Sequence, residues 1–138
     1  MGNILTLAEI WVNLSALDFR LERYQEANTA AERAIGINPD SAAAWYNKAL
    51  ALMALNRYRD AVTTYDRAIA INAENADFWA GKGIALRFLE QYPQALEALQ
   101  TALELNPAHP QALVNQEFVM QKLQTPNGMD ALPNSGVR

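Results

Sequence analysis

The sequence predicts an all-α chain: a solenoid of three helical hairpins closed by one further helix. Three observations predict it. Tryptophan stands at Trp11, Trp45 and Trp79, and both 45 − 11 and 79 − 45 equal 34 residues. Many other positions obey the same shift, among them Leu21, Leu55 and Leu89, Tyr24, Tyr58 and Tyr92, and the alanines 27, 61 and 95, then 34, 68 and 102. Within each unit the apolar residues recur at three- and four-residue steps twice over, and little reads as strand alternation. A fixed period of this length marks a stacked array, because one hairpin cannot bury its apolar face alone.

The elements follow in order. Thr6-Leu7-Ala8-Glu9 has the pattern of a capping box opening the first helix. Polar breaks at Glu22-Arg23, Asn56-Arg57 and Glu90-Gln91 divide each unit into two helices. In the second unit the first helix runs from Ala42 to Leu55 on Trp45, Ala49, Leu52 and Leu55. Its second runs from Arg59 to Ile71 on Ala61, Tyr65, Ala68 and Ile69. Each second helix ends at Asn38-Pro39, Asn72-Ala73 or Asn106-Pro107, and proline there cannot continue a helix. Pro93 falls in a first turn, where its missing N–H costs nothing.

A fourth first helix spans Pro110 to Gln124. In it Glu117 takes the column of Ser15, Ala49 and Gly83. Those small residues are expected to face alanines 27, 61 and 95 and let the two helices of a unit approach closely. A carboxylate would prevent that, so the fourth helix, with Gln116, Lys122 and Gln124, reads as a solvating cap. The organisation is therefore one repeat domain over residues 1–124, with units at about 8–41, 42–75 and 76–109 and a cap at 110–124. Residues 125–138 hold Pro126, Asn127-Gly128 and Pro133-Asn134, turn signals without periodicity, and are expected to be a flexible tail.

Composition narrows the function. Of 138 residues 51% are hydrophobic, too many for a disordered chain. Eleven basic against fifteen acidic residues give a net charge of −4, without the basic stripe that nucleic acid demands. Cysteine is absent, which excludes disulfides and thiol catalysis, and the single histidine, His109, argues against a histidine metal site; no cofactor is expected. His109 lies between Pro107 and Pro110 and suits an N-cap or loop role. Phosphate-binding and nucleophile motifs are missing, so an enzyme is not expected. No segment suits a bilayer span or a signal peptide, and the expected setting is the cytoplasm. Met1-Gly2-Asn3-Ile4-Leu5-Thr6 fits a loose myristoylation pattern but has no polybasic second signal, so an ordinary start is the reading adopted.

The repeat resembles the tetratricopeptide repeat, whose pattern is W-x₂-L-G-x₂-Y, then A-x₃-F and a closing proline. Trp45, Ala49, Ala61, Tyr65 and Ala68 carry it in the second unit. Trp79, Gly83, Ala95, Ala102 and Pro107 carry it in the third, and Trp11, Ala27, Ala34 and Pro39 in the first. Lys48 and Lys82 depart from it at the leucine, and Asp18, Leu52 and Leu86 at the tyrosine. The resemblance covers about residues 8–124. It implies a right-handed solenoid whose concave face, lined by the first helices, holds a peptide or helix of a partner protein.

On that face the resemblance places Val12, Asn13, Phe19, Arg20, Tyr46, Asn47, Leu50, Met53, Ile84, Arg87 and Phe88, with Asn115 and Phe118 continuing the strip on the cap. Asn13, Asn47 and Asn115 stand where the family bonds peptide backbone, and Asn47, at the centre of the strip, should matter to binding and little to stability. Tyr46 and Phe88 have no counterpart of their kind in their columns, which favours contact with a ligand. One subclass grips acidic C-terminal tails of chaperones between lysine, asparagine and arginine; the matching positions here hold Val12, Ala16, Asn47, Asp77 and Gly81, which disfavours it. The rival expectation is self-assembly through Ile10, Trp11 and Leu14 at the N-terminal end. The chain is expected to be a monomer or a weak homo-oligomer.

Overall fold

The computed structural model describes residues 4–125, and side chains from residue 6 onward. The expected flexible tail therefore lies, but for Thr125, outside the described residues, as do Met1 to Asn3 of the acylation pattern. Seven helices follow one another: α1 (Ile4–Arg20), α2 (Tyr24–Ile37), α3 (Ala42–Ala54), α4 (Tyr58–Ile71), α5 (Ala76–Phe88), α6 (Tyr92–Leu105) and α7 (Pro110–Gln124). Each packs on the next, and each first helix also touches the following first helix. One boundary differs from expectation: α1 begins at Ile4, so Thr6 lies inside its first turn and does not cap it.

The turn inside each hairpin is the same device three times. Glu22, Asn56 and Glu90 adopt φ 61°, the left-handed region. That conformation lets the N–H of the next residue close on the carbonyl five back: Arg23 on Asp18 at 2.8 Å, Arg57 on Leu52 at 2.8 Å and Gln91 on Leu86 at 3.0 Å. These bonds satisfy carbonyls that the helix end would otherwise orphan.

The turn between hairpins is equally regular. Asn38, Asn72 and Asn106 accept backbone N–H groups of Asp40, Glu74 and Ala108 on their side-chain oxygens. Ser41, Asn75 and His109, again one column, cap α3, α5 and α7 by accepting from Ala44, Asp77 and Ala112. The indole N–H of Trp45 donates to the Pro39 carbonyl at 2.8 Å, and that of Trp79 to Ala73 at 2.7 Å. The tryptophans thus pin each loop to the first helix after it.

The core confirms the small column. Ser15, Ala49, Ala27, Ala61 and Ala95 are wholly buried, and the Ser15 hydroxyl donates to the Ala27 carbonyl at 2.8 Å. One cluster gathers Ala49, Leu52, Ala61, Tyr65 and Ala85; another runs from Ala80 and Leu86 through Leu99 to Ala112 and Val119. Glu117 is exposed, as expected of a helix with no second helix against it. The cap is less polar than expected, however: Leu113, Val114, Met120 and Leu123 of α7 are all exposed. Adding the period to Trp79, Ala80 and Leu86 gives Leu113, Val114 and Met120, so α7 keeps the apolar pattern of a first helix.

Two glycines give a test of opposite signs. A Cβ on Gly83 would stand 2.6 Å from Leu99 Cγ and 3.2 Å from the Ala95 carbonyl, whereas around Gly36 in α2 nothing lies within 4 Å. Gly36→Ala should stabilise the chain by about 0.5–1 kcal/mol through helix propensity. Gly83→Ala should destabilise it by roughly 1–3 kcal/mol, because Leu99 is fully buried and cannot yield. Chemical denaturation of the two variants checks both signs.

Candidate functional site

The first helices α1, α3, α5 and α7 lie side by side and are tied laterally by side chains. Asn47 on α3 donates through Nδ2 to the Val12 carbonyl of α1 at 3.2 Å. Tyr46 on α3 packs its ring 5.2 Å from Phe78 of α5. Arg87 on α5 donates to Asn115 Oδ1 of α7 at 2.7 Å, and His109 Nε2 meets Asp77 Oδ1 at 2.7 Å. Since His109 Nδ1 accepts the Ala112 N–H, the ring carries its proton on Nε2 and donates it to Asp77. His109 is thus the N-cap that the sequence allowed, and also a strut between α5 and α7.

These ties sort the sequence-derived residues. Leu50, Met53 and Ile84 are half-buried along the strip. Phe19 is half-buried with its ring 5.3 Å from Tyr24. Asn13 and Arg20 are exposed. Phe88 is 49% exposed and lies flat on Tyr58, with centroids 4.9 Å apart and 11° between planes. Arg87 is half-buried and holds its guanidinium 3.8 Å from the centre of the Phe118 ring. Val12 is half-buried, and its carbonyl is the acceptor for Asn47.

Three expectations change. Asn47 is a structural link between two repeats as well as a strip residue, although its Oδ1 stays open. Asn115 is buried and engaged at both ends of its amide, since its Nδ2 also donates to Gln111 at 2.8 Å, so it is a structural link between α5 and α7. Tyr46 does have a packing reason to be aromatic: it is wedged between Phe78 and the buried ring of Tyr65. Burial, and then the charge of Asp77, push the Tyr46 hydroxyl up to about 12. Burial raises Tyr65 as well, and the nearby Tyr46 adds to the effect. Gly81 has a reason too, for any Cβ on it would collide with the Tyr65 ring.

The outer surface has a different chemistry. Lys48 pairs with Glu32 at 3.3 Å and Lys82 with Asp66 at 2.7 Å, so the lysines that depart from the repeat pattern reach back to the previous unit. Arg67 lies 4.5 Å from the Trp45 ring centre, and Arg33 lies 5.0 Å from that of Trp11. Asn28 in α2 is buried, and its Oδ1 finds no hydrogen-bond partner. The period signals it in the sequence, since Val62 and Leu96 share its column. Among the described residues no cluster could hold a metal ion, and no helix is long and apolar enough to cross a membrane.

Tetratricopeptide repeat profiles match residues 19–83 and 76–109. The chain belongs to the tetratricopeptide repeat family. No curated protein sequence matches it. Among solved structures it is similar to the repeat domain of Arabidopsis OM64, at 21% identity and TM-score 0.83 over 85% of this chain and 97% of that one. It is similar to the second repeat domain of human RPAP3, solved with the HSP70 peptide SGPTIEEVD, at 23% identity and TM-score 0.81, covering 86% and 99% of the two chains. It is also similar to the Sgt2 repeat domain of Aspergillus fumigatus, at 19% identity and TM-score 0.84, covering 91% and 85%. These likenesses establish the tetratricopeptide fold: three repeats and a capping helix.

Two predictions follow from the ties. Asn47→Ala should lower stability by about 0.5–1.5 kcal/mol, the worth of one hydrogen bond, measured by urea unfolding. The second concerns alkali. A hydroxyl whose proton is held more tightly in the folded than in the unfolded chain contributes stability that is whole below the unfolded value. That stability is lost as pH rises through the folded one. Stability should therefore fall between about pH 10 and about 12, and Tyr46→Phe should shrink the fall measured by thermal melts across that window.

Proposed function

We propose that this chain is a non-catalytic adaptor that holds an apolar segment of a partner protein against the concave face of α1, α3, α5 and α7. The tetratricopeptide repeat is a protein-interaction unit, and nothing in the chain indicates catalysis. One observation carries the finer reading. Phe19, Leu50, Met53, Ile84 and Phe88 stay half-buried or exposed, whereas the residues joining the helices, such as Ala49, Leu52, Ala61 and Tyr65, are sealed. An apolar row left open after the core is complete suits an apolar ligand, and Asn13, Arg20 and Asn47 Oδ1 supply polar partners for its backbone. The reading adopts a protein or peptide partner and no nucleic acid, and sets the chain in the cytoplasm.

The peptide in the RPAP3 structure is acidic, and it belongs to that protein. Here Val12, Ala16 and Gly81 supply no cation at the clamp positions, and Asp77 would repel a carboxylate. Selection from a random peptide library, followed by titration calorimetry, tests the proposal. Selected peptides should be apolar and poor in carboxylates, and SGPTIEEVD should not bind. Phe88→Ala should weaken the selected peptides about tenfold, roughly 1.4 kcal/mol. Doubling the salt should change little, since few charges line the strip. Peptides indifferent to Phe88→Ala would move the site off this face.

A second reading, self-assembly, is favoured by the exposure of Ile10 and Leu14 on α1. Trp11, the third residue expected there, is half-buried with Arg33 over its ring.

A further inference from the structure

Four large apolar side chains of α1, Leu7, Ile10, Leu14 and Leu17, and Leu21 just past its end are left in solvent, each between 38% and 57% exposed. Their steps are three, four, three and four residues, so they share one side of the helix and its end for about 21 Å at 1.5 Å per residue. This is the spacing by which two helices interlock side chains along a seam.

The later first helices show what the seam does not fit. The period places Ile10 with Ala44, Phe78 and Ala112, and Leu17 with Ala51, Ala85 and Val119. All six are buried, in helices that each pack on the second helix of the preceding unit. Leu14 falls in the column of Lys48 and Lys82, which reach back to Glu32 and Asp66 on that preceding helix. In α1 the lysine has become leucine, and five of the six packed residues are outsized by their α1 counterparts. A second helix of the usual kind requires close approach and offers a carboxylate at that lysine. The α1 face gives it neither; its complement is another apolar seam.

We propose that α1 pairs with α1 of a second copy in a two-fold dimer centred on Leu14. Leu14 is midway between Leu7 and Leu21. An antiparallel pair therefore sets Leu14 on its own copy and Leu7 against Leu21, with Ile10 and Leu17 within one residue of facing each other, so one patch completes itself. The antiparallel sense also opposes the two helix dipoles. With about half of each side chain still exposed, two such seams bury on the order of 900 Å², short of the roughly 1,600 Å² of a standard stable interface. The dimer is accordingly weak, with Kd on the order of 10–100 µM. This inference deepens the self-assembly reading and does not rest on the groove.

Sedimentation equilibrium of the full chain from about 1 µM to about 500 µM tests it. The weight-average mass should climb from 15.3 kDa toward twice that value. Leu14→Lys, which restores the lysine of the two later repeats at an exposed site, should raise Kd at least tenfold with an unchanged circular-dichroism spectrum. The chain has no cysteine, so Leu14→Cys introduces a single thiol. Under mild oxidation it should give a disulfide-linked dimer, and Val114→Cys at the other end should not. A mass of 15.3 kDa throughout, a dimer untouched by Leu14→Lys, or equal cross-linking at both sites would overturn the proposal. A monomer that still binds library peptides would overturn the seam alone and leave the groove reading standing.

Discussion

Everything in this fold depends on how closely the two helices of a repeat approach. At the crossing, the small residues Ser15, Ala49 and Gly83 meet alanines 27, 61 and 95, and at Gly83 the Leu99 side chain takes the space that a Cβ would fill. That contact draws the hairpin tight enough for Leu52, Tyr65, Leu86 and Leu99 to reach across it and be sealed. Packing of this density leaves little room to adjust, which is why the shift of 34 residues is kept so strictly at these columns.

Once the hairpins are tight, the solenoid grows by repeating two polar devices. A left-handed residue ends α1, α3 and α5, and an asparagine followed by a capping side chain turns the chain into the next unit. Neither uses apolar burial. They fix direction, while the alanine crossings and the tryptophan-to-loop bonds fix distance. The lateral ties among the first helices are of a third kind: an amide on a carbonyl, an imidazole on a carboxylate, a guanidinium on an amide and an aromatic ring. They set how the first helices lie against one another, and they draw on residues of the candidate strip.

Legibility followed that division. The repeated columns could be read because a residue needed for packing recurs wherever the packing recurs. The hairpin breaks were visible as polar pairs, and the capping role of His109 was among the expected readings. Of the candidate site, the sequence read the placement alone: all eleven residues lie on the helices α1, α3 and α5. Which of them are open could not be read. Tyr46 is apolar because Phe78 and Tyr65 enclose it, and those partners come from two other helices. Asn115 looked available, yet Arg87 occupies it from 28 residues away.

The sequence by itself determined the repeat, the helix type, the small crossing and the exclusion of whole classes of chemistry, because these are periodic or compositional properties carried by each residue alone. Only the tertiary structure decided the state of particular side chains. Asn47 became a tie between repeats, Asp77 became the acceptor for His109, and Ile10 and Leu17 of α1 were left uncovered while their counterparts in α3, α5 and α7 were buried. The physical reason is that exposure and hydrogen bonding belong to pairs of surfaces. Whether an apolar face is sealed depends on the surface that meets it, and no count along the chain says what that surface is.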